Sequence, residues 1–137
     1  MGFHPLRPVP VTEDAEQLYD EWLEGLEEAL ADPQCDRNEL CRTVLTRIYY
    51  PDLAERNPED LPLDSRVALT QMDPRNVTLE PEYYEDIDLT RYAPRKPLIW
   101  LWEMFDRSPL GENVALGVRF RRILAPHVFA SCGANFK

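Results

Sequence analysis

Histidine is almost missing from this sequence, glycine is scarce and cysteine is sparse, and each shortage removes a class of chemistry. Two histidines, His4 and His127, stand far apart, and three cysteines, Cys35, Cys41 and Cys132, form no CxxC pair. Such spacing offers no zinc site, so no metal ligand is assigned. The five glycines are dispersed, and none falls in a GxGxxG or GK[ST] pattern, which excludes a phosphate-cradling loop. A Ser-His-acid triad cannot be assembled either: His4 sits in a proline-rich arm and His127 follows Pro126 in an apolar stretch. No catalytic residue is assigned. No apolar run approaches the ~20 residues of a membrane span, so no membrane span is expected. The opening "MGFHPLRPVPV" lacks the basic flank and apolar stretch of a secretory signal, and Leu6 stands where a myristoylation signal wants Ser or Thr. A reducing, cytoplasmic location is the expectation.

What is present argues for a packed helical globule. The chain has 137 residues, of which 44% are hydrophobic and 10% aromatic, enough for one domain with its own core. Thirteen prolines predict short elements, abrupt helix stops and much irregular chain. The net charge of -10 is unevenly spread: residues 1–33 hold nine acids and one base, whereas residues 107–137 hold five bases and one acid. Overall acidity argues against a nucleic-acid partner, since such proteins neutralise phosphates with Lys and Arg. The acids of the first helix read as its solvated face, and the basic end retains the capacity to meet an anion.

Helical periodicity organises the chain. After an extended arm over residues 1–12, Thr12 suits an N-cap, with Glu13 and Asp14 at the positive end of the helix dipole. Ala15, Leu18, Tyr19, Trp22, Leu23, Leu26, Ala29 and Leu30 form one stripe, and Pro33 stops the helix. Asp36 and Glu39 have capping-box spacing for a second helix, whose face is Leu40, Cys41, Val44, Leu45, Ile48 and Tyr49, and Pro51 ends it. These two helices read as an antiparallel hairpin, with Cys41 packing as a small apolar group. Residues 52–63 read as loop, followed by a short third helix in "LDSRVALTQM". The stretch "LEPEYYEDIDLTRY" carries five carboxylates, three tyrosines and Arg91. Its spacing is not that of a calcium loop, so it reads as a Pro81-started helical turn and then coil. In "PLIWLWEMFDRSPLG", Pro97 fits a first turn, and Leu98, Leu101, Trp102 and Phe105 share one face with Trp100 and Met104 beside it. The stretch "ENVALGVRFRRILAPHVFASCG" predicts an amphipathic helix with Val114, Val118, Ile123, Leu124, Val128 and Phe129 as its apolar content, bent near Pro126 and ending at Gly133. Strand signals are nearly absent.

The segment "RKPLIWLWEMFDRSPLGENVALGVRFRRILAPHVFASCGANFK" resembles the part that precedes the left-handed parallel β-helix in acyltransferases of the hexapeptide-repeat family, which includes maltose and galactoside O-acetyltransferases. The preceding "LPLDSRVALTQMDPRNVTLEPEYYEDIDLTRY" resembles the N-terminal part of a bacterial subgroup, so the likeness spans roughly Cys35 to Lys137. It implies a mainly α chain: a helical region over 13–107, and a linking helix over 108–137 that leads into the first β-helix turn. Gly133, Asn135 and Phe136 match the order in which that family turns, corners and points into its β-helix core. No hexapeptide coil follows, and the family's catalytic histidine, borne by such coils, has no counterpart; His127 precedes the coils and does not fill that role.

Two functional readings follow. The first is the N-terminal portion of an acetyl-CoA-dependent O-acetyltransferase acting on a sugar or similar hydroxyl acceptor. The resemblance implies a homotrimer when complete, with acetyl-CoA as co-substrate bound along coils absent here and the architecture continuing beyond Lys137. The chain alone is then expected to be inactive and to hold no cofactor. Trp100, Trp102 and Phe105 would cover the β-helix, and Tyr83 and Tyr84 are the candidates for the acceptor mouth, ordinary packing being their alternative role. The second reading is a non-catalytic acidic helical module that binds a protein through its first or aromatic helix.

Overall fold

A computed structural model describes Gly2, residues 9–84 and residues 86–129. Helix, 3-10 turns included, makes up 73% of the described residues, and no strand occurs among them. The expected lead into a β-helix at Gly133, Asn135 and Phe136 lies outside them, as do His4 and Cys132. The α-helices run in the order α1 (Glu13–Ala31), α2 (Arg37–Tyr49), α3 (Leu63–Thr70), α4 (Leu89–Tyr92), α5 (Lys96–Arg107) and α6 (Val114–Val128).

The prolines do less damage than their number predicts. Pro51, Pro58, Pro74, Pro81, Pro97 and Pro109 all occupy the first turn of a helix or 3-10 turn. There the missing N–H has no intrahelical acceptor to satisfy and the fixed φ already suits the helix. The expected loop at 52–63 thus holds the 3-10 turns Pro51–Leu53 and Pro58–Asp60, and the expected coil after Glu80–Tyr83 closes into α4, capped by Asp88. Pro126 lies inside α6, which continues to Val128 and ends there, short of the stop expected at Gly133.

Caps follow the sequence closely at α1 and half-way at α2. The Thr12 hydroxyl accepts from the Ala15 N–H at 3.2 Å. The Asp36 carboxylate accepts from the N–H groups of Asn38 and Glu39 at 3.0 and 3.3 Å. Glu39, expected to reach back and complete the box, instead binds Arg42 and, at 2.6 Å, Arg75 of the Pro74–Asn76 turn. Asp73 holds the same guanidinium at 2.7 Å, which clasps that turn to α2.

One core joins α1, α2, α5 and α6: Leu23, Leu26 and Leu30 meet Cys41, Leu45, Leu98, Leu101, Phe105, Leu116, Phe120 and Leu124. Each fully buried leucine contributes about 1.5–3 kcal/mol of transfer free energy. The pairing differs from the expected hairpin. α1 seats chiefly on α6, and α2 chiefly on α5. At the centre, the rings of Phe105 on α5 and Phe120 on α6 stack at 3.8 Å with 13° between their planes, and both line the gap between α1 and α2. Phe105 is therefore 1% exposed and belongs to the core, not to an outward aromatic surface. Leu18, assigned to the buried stripe, is 42% exposed on the outer edge of α1.

Candidate functional site

Separation of α1 from α2 leaves an apolar groove between them. Trp22, Gly25 and Leu26 of α1 form one wall, and Leu40, Val44 and Ile48 of α2 form the other, with Phe105, Leu116 and Phe120 as the floor. Its volume is about 240 Å³, below the ~300–1,000 Å³ common for small-molecule sites. Side chains that helical spacing marked for hairpin contact thus line an open cleft: Leu40, Val44, Ile48 and Trp22 are half-buried.

Gly25 widens this cleft. A Cβ built there meets nothing within 4 Å, so no neighbour among the described residues requires a glycine. In mid-helix glycine costs about 1 kcal/mol relative to alanine, a penalty that the chain's own packing does not explain.

The rim is charged. Glu21 stands on the α1 side and Arg47 on the α2 side. Arg47 is held by Glu55 at 3.3 Å, which partly offsets its charge, whereas Glu21 takes only the neutral Gln17 amide at 3.2 Å. Behind Glu21, α1 contains no basic residue along its 19 positions. On the α1 side the groove therefore meets acids with no base of that helix among them.

Tyr83 and Tyr84 lie elsewhere, on the 3-10 turn Glu80–Tyr83 and just after it, and neither lines the groove. They are 75% and 63% exposed, so ordinary packing does not explain them; the Tyr84 hydroxyl donates to Glu80 at 3.4 Å. The carboxylate-rich stretch around them is organised by Glu82. That side chain accepts from the Leu79 N–H at 2.7 Å, the Tyr92 hydroxyl at 2.9 Å and Lys96 at 2.9 Å. Burial alone would raise the Glu82 carboxyl, but these donors hold it below its ordinary value. These three bonds tie the turn to α4 and α5.

Other reactive groups are similarly absorbed. The Cys41 thiol is buried and pushed far up by desolvation, with nearby Asp73 adding to the effect, so it is an apolar filler and not a nucleophile. His127 is half-buried; desolvation, then the Arg37 charge, lowers its pKa and keeps the ring neutral. Among the described residues no group of three or more His, Cys, Asp or Glu is arranged to hold a metal ion, and no helix is long and apolar enough to cross a membrane. Trp102 makes an edge contact with Phe129 at 5.3 Å, and the buried Trp100 indole N–H has no hydrogen-bond partner among the described residues.

No family model matches the chain, and neither a curated protein nor a solved structure is similar to it. The groove was not marked in advance, because its floor residues Leu116 and Phe120 are ordinary apolar positions in sequence. Gly25 was the available signal: a lone glycine within a strong helix pattern either ends the helix or answers to close packing.

Proposed function

We propose that this chain is the helical, non-catalytic N-terminal portion of an acetyl-CoA-dependent O-acetyltransferase of the hexapeptide-repeat kind, acting on a sugar or similar hydroxyl acceptor. The observation that supports this reading is the likeness of residues 95–137 to the segment that precedes the β-helix in that family. Helical geometry is compatible with it: α5 and α6 form the centre of the core, and α6 carries the chain from that core toward residues 130–137. In this reading a histidine outside the chain takes the acceptor's hydroxyl proton as the oxygen attacks the thioester. His127, desolvated and facing the Arg37 charge, has no part in that step. Complete subunits would form a trimer, and Tyr83 and Tyr84 are exposed enough to meet an acceptor or a neighbouring subunit.

Thiol release from acetyl-CoA tests the proposal on three proteins: residues 1–137, the chain extended by its downstream coding sequence, and the extended form with His127→Ala. Turnover is expected only in the two extended forms. Turnover by residues 1–137, or its complete loss in a folded His127→Ala protein, overturns the assignment.

The α1–α2 groove favours a second reading, a helical module that binds another polypeptide. Coding sequence downstream of Lys137 that carries an aliphatic residue every six positions and a histidine-bearing loop favours the enzyme; a natural stop codon favours the module.

A further inference from the structure

The geometry points to the α1–α2 groove as the docking site of a basic amphipathic helix from a partner polypeptide. This rests on the second reading above, that the helices bind another chain, and names the chemistry of what they bind. It does not depend on where acyl transfer occurs.

Three observations converge on that occupant. The first is shape. At about 240 Å³ the groove is small for a cofactor, but its long apolar walls suit the bulky side chains of one helical face laid between two others. The second is Gly25. With no Cβ on that wall and open space where one would stand, a crossing helix can bring its backbone close to α1. A glycine on the wall of a groove, against the preference of its own helix, is explained by a guest.

The third is charge. Asp14, Glu21 and Glu28 recur every seven residues along α1, on the ridge that also carries Leu18 and Gly25, and all are exposed. Lysines or arginines flanking the apolar face of a docked helix would meet this row. A second copy of the chain is a poor fit, because each copy carries a net charge of -10 and would set one acidic α1 beside another. A bilayer with anionic headgroups is repelled on the same ground. Complementary charge both speeds encounter and rejects wrong partners, so it selects a basic helix over a neutral or acidic one.

Titration of the 15N-labelled chain with three peptides of about 18 residues tests the inference: a Leu-faced helix with Lys on its polar face, the same composition scrambled, and the Leu-faced helix with Glu in place of Lys. Shifts are expected at the Trp22 and Val44 amides with the first peptide, bound at least about tenfold more tightly than the others. Gly25→Leu adds a side chain in open space, so it keeps the fold and fills the groove; it should weaken that peptide by about tenfold or more. The double change Glu21→Gln, Glu28→Gln should weaken it severalfold and flatten its dependence on salt. Equal binding by the scrambled peptide, or no effect of Gly25→Leu, overturns the inference. Preference for the Glu peptide, still sensitive to Gly25→Leu, overturns the basic partner yet keeps a helix-binding groove. No shift with any peptide removes the second reading as well. A dimer in gel filtration that Gly25→Leu dissociates assigns the groove to a second copy and also overturns it.

Discussion

Leu26 and Glu27 are neighbours in sequence with opposite surroundings, and this contrast tests the core assignment residue by residue. Leu26 is 3% exposed and Glu27 faces solvent. Leu26→Ala should cost about 2–5 kcal/mol by denaturant unfolding, whereas Glu27→Ala should stay within about 0.5 kcal/mol. Charge at single residues sets the response to pH. The hydrogen-bonded Arg75 guanidinium holds the Asp73 carboxyl below its ordinary value, so its stabilising contribution is present above the unfolded value of about 3.9 and is lost as pH falls through the folded one. His127 is also depressed, chiefly by burial. The unfolded ring takes up a proton first, so stability declines as pH falls below about 6.5. Thermal melts across pH should therefore show two steps. His127→Gln should flatten the one just below 6.5, and Asp73→Asn should reduce the acid one while lowering the melting temperature at neutral pH.

At the scale of elements, the two glycines of the α5–α6 corner behave oppositely to Gly25. A Cβ at Gly111 would overlap the Phe105 carbonyl oxygen, and one at Gly117 would lie 2.9 Å from both the Gly111 carbonyl oxygen and the Arg121 guanidinium. The turn Pro109–Glu112 thus rests directly on α6, and Arg121 fastens it by donating to the Gly111 carbonyl at 2.8 Å and to Asp106 at 2.6 Å. Gly117→Ala should destabilise by about 1–3 kcal/mol through overpacking. Gly25→Ala should stabilise by about 0.4–1 kcal/mol, because open space and helical φ accept the methyl group. Calorimetric melts of the two variants should move in opposite directions; a loss at Gly25→Ala would show that the glycine serves the fold. Most helices were legible in the sequence because caps and period-3.6 stripes are local. α3 shows the limit of that signal: its Leu63 and Val67 are 68% and 54% exposed, and none of its residues is buried.

For the whole molecule, the acidic and basic ends of the chain meet. α1 packs on α6, and Arg119 of α6 donates to Asp20 of α1 at 2.6 Å across 99 residues. With both side chains about half exposed, that pair contributes little; Leu116, Phe120 and Leu124 beneath it carry the interface by burial. Truncation after Asn113 should accordingly lose far more helical circular dichroism than the residues of α6 account for, since α1 would have no seat. Retention of a cooperative melt by that truncated chain would show that α1, α2 and α5 form a core without α6.

By itself the sequence determined where α1 and α2 begin and stop, most of their apolar faces, and that zinc, calcium-loop and phosphate-loop chemistry have no motif here. Those properties depend on neighbours a few residues apart. Which helix lies against which was decided only in three dimensions. The Phe105–Phe120 stack joins residues from two helices by shape, and no periodicity encodes that choice. With α1 seated on α6 and α2 on α5, side chains patterned for a hairpin line a groove instead, and Gly25, a lone glycine within a helix pattern, stands on its wall.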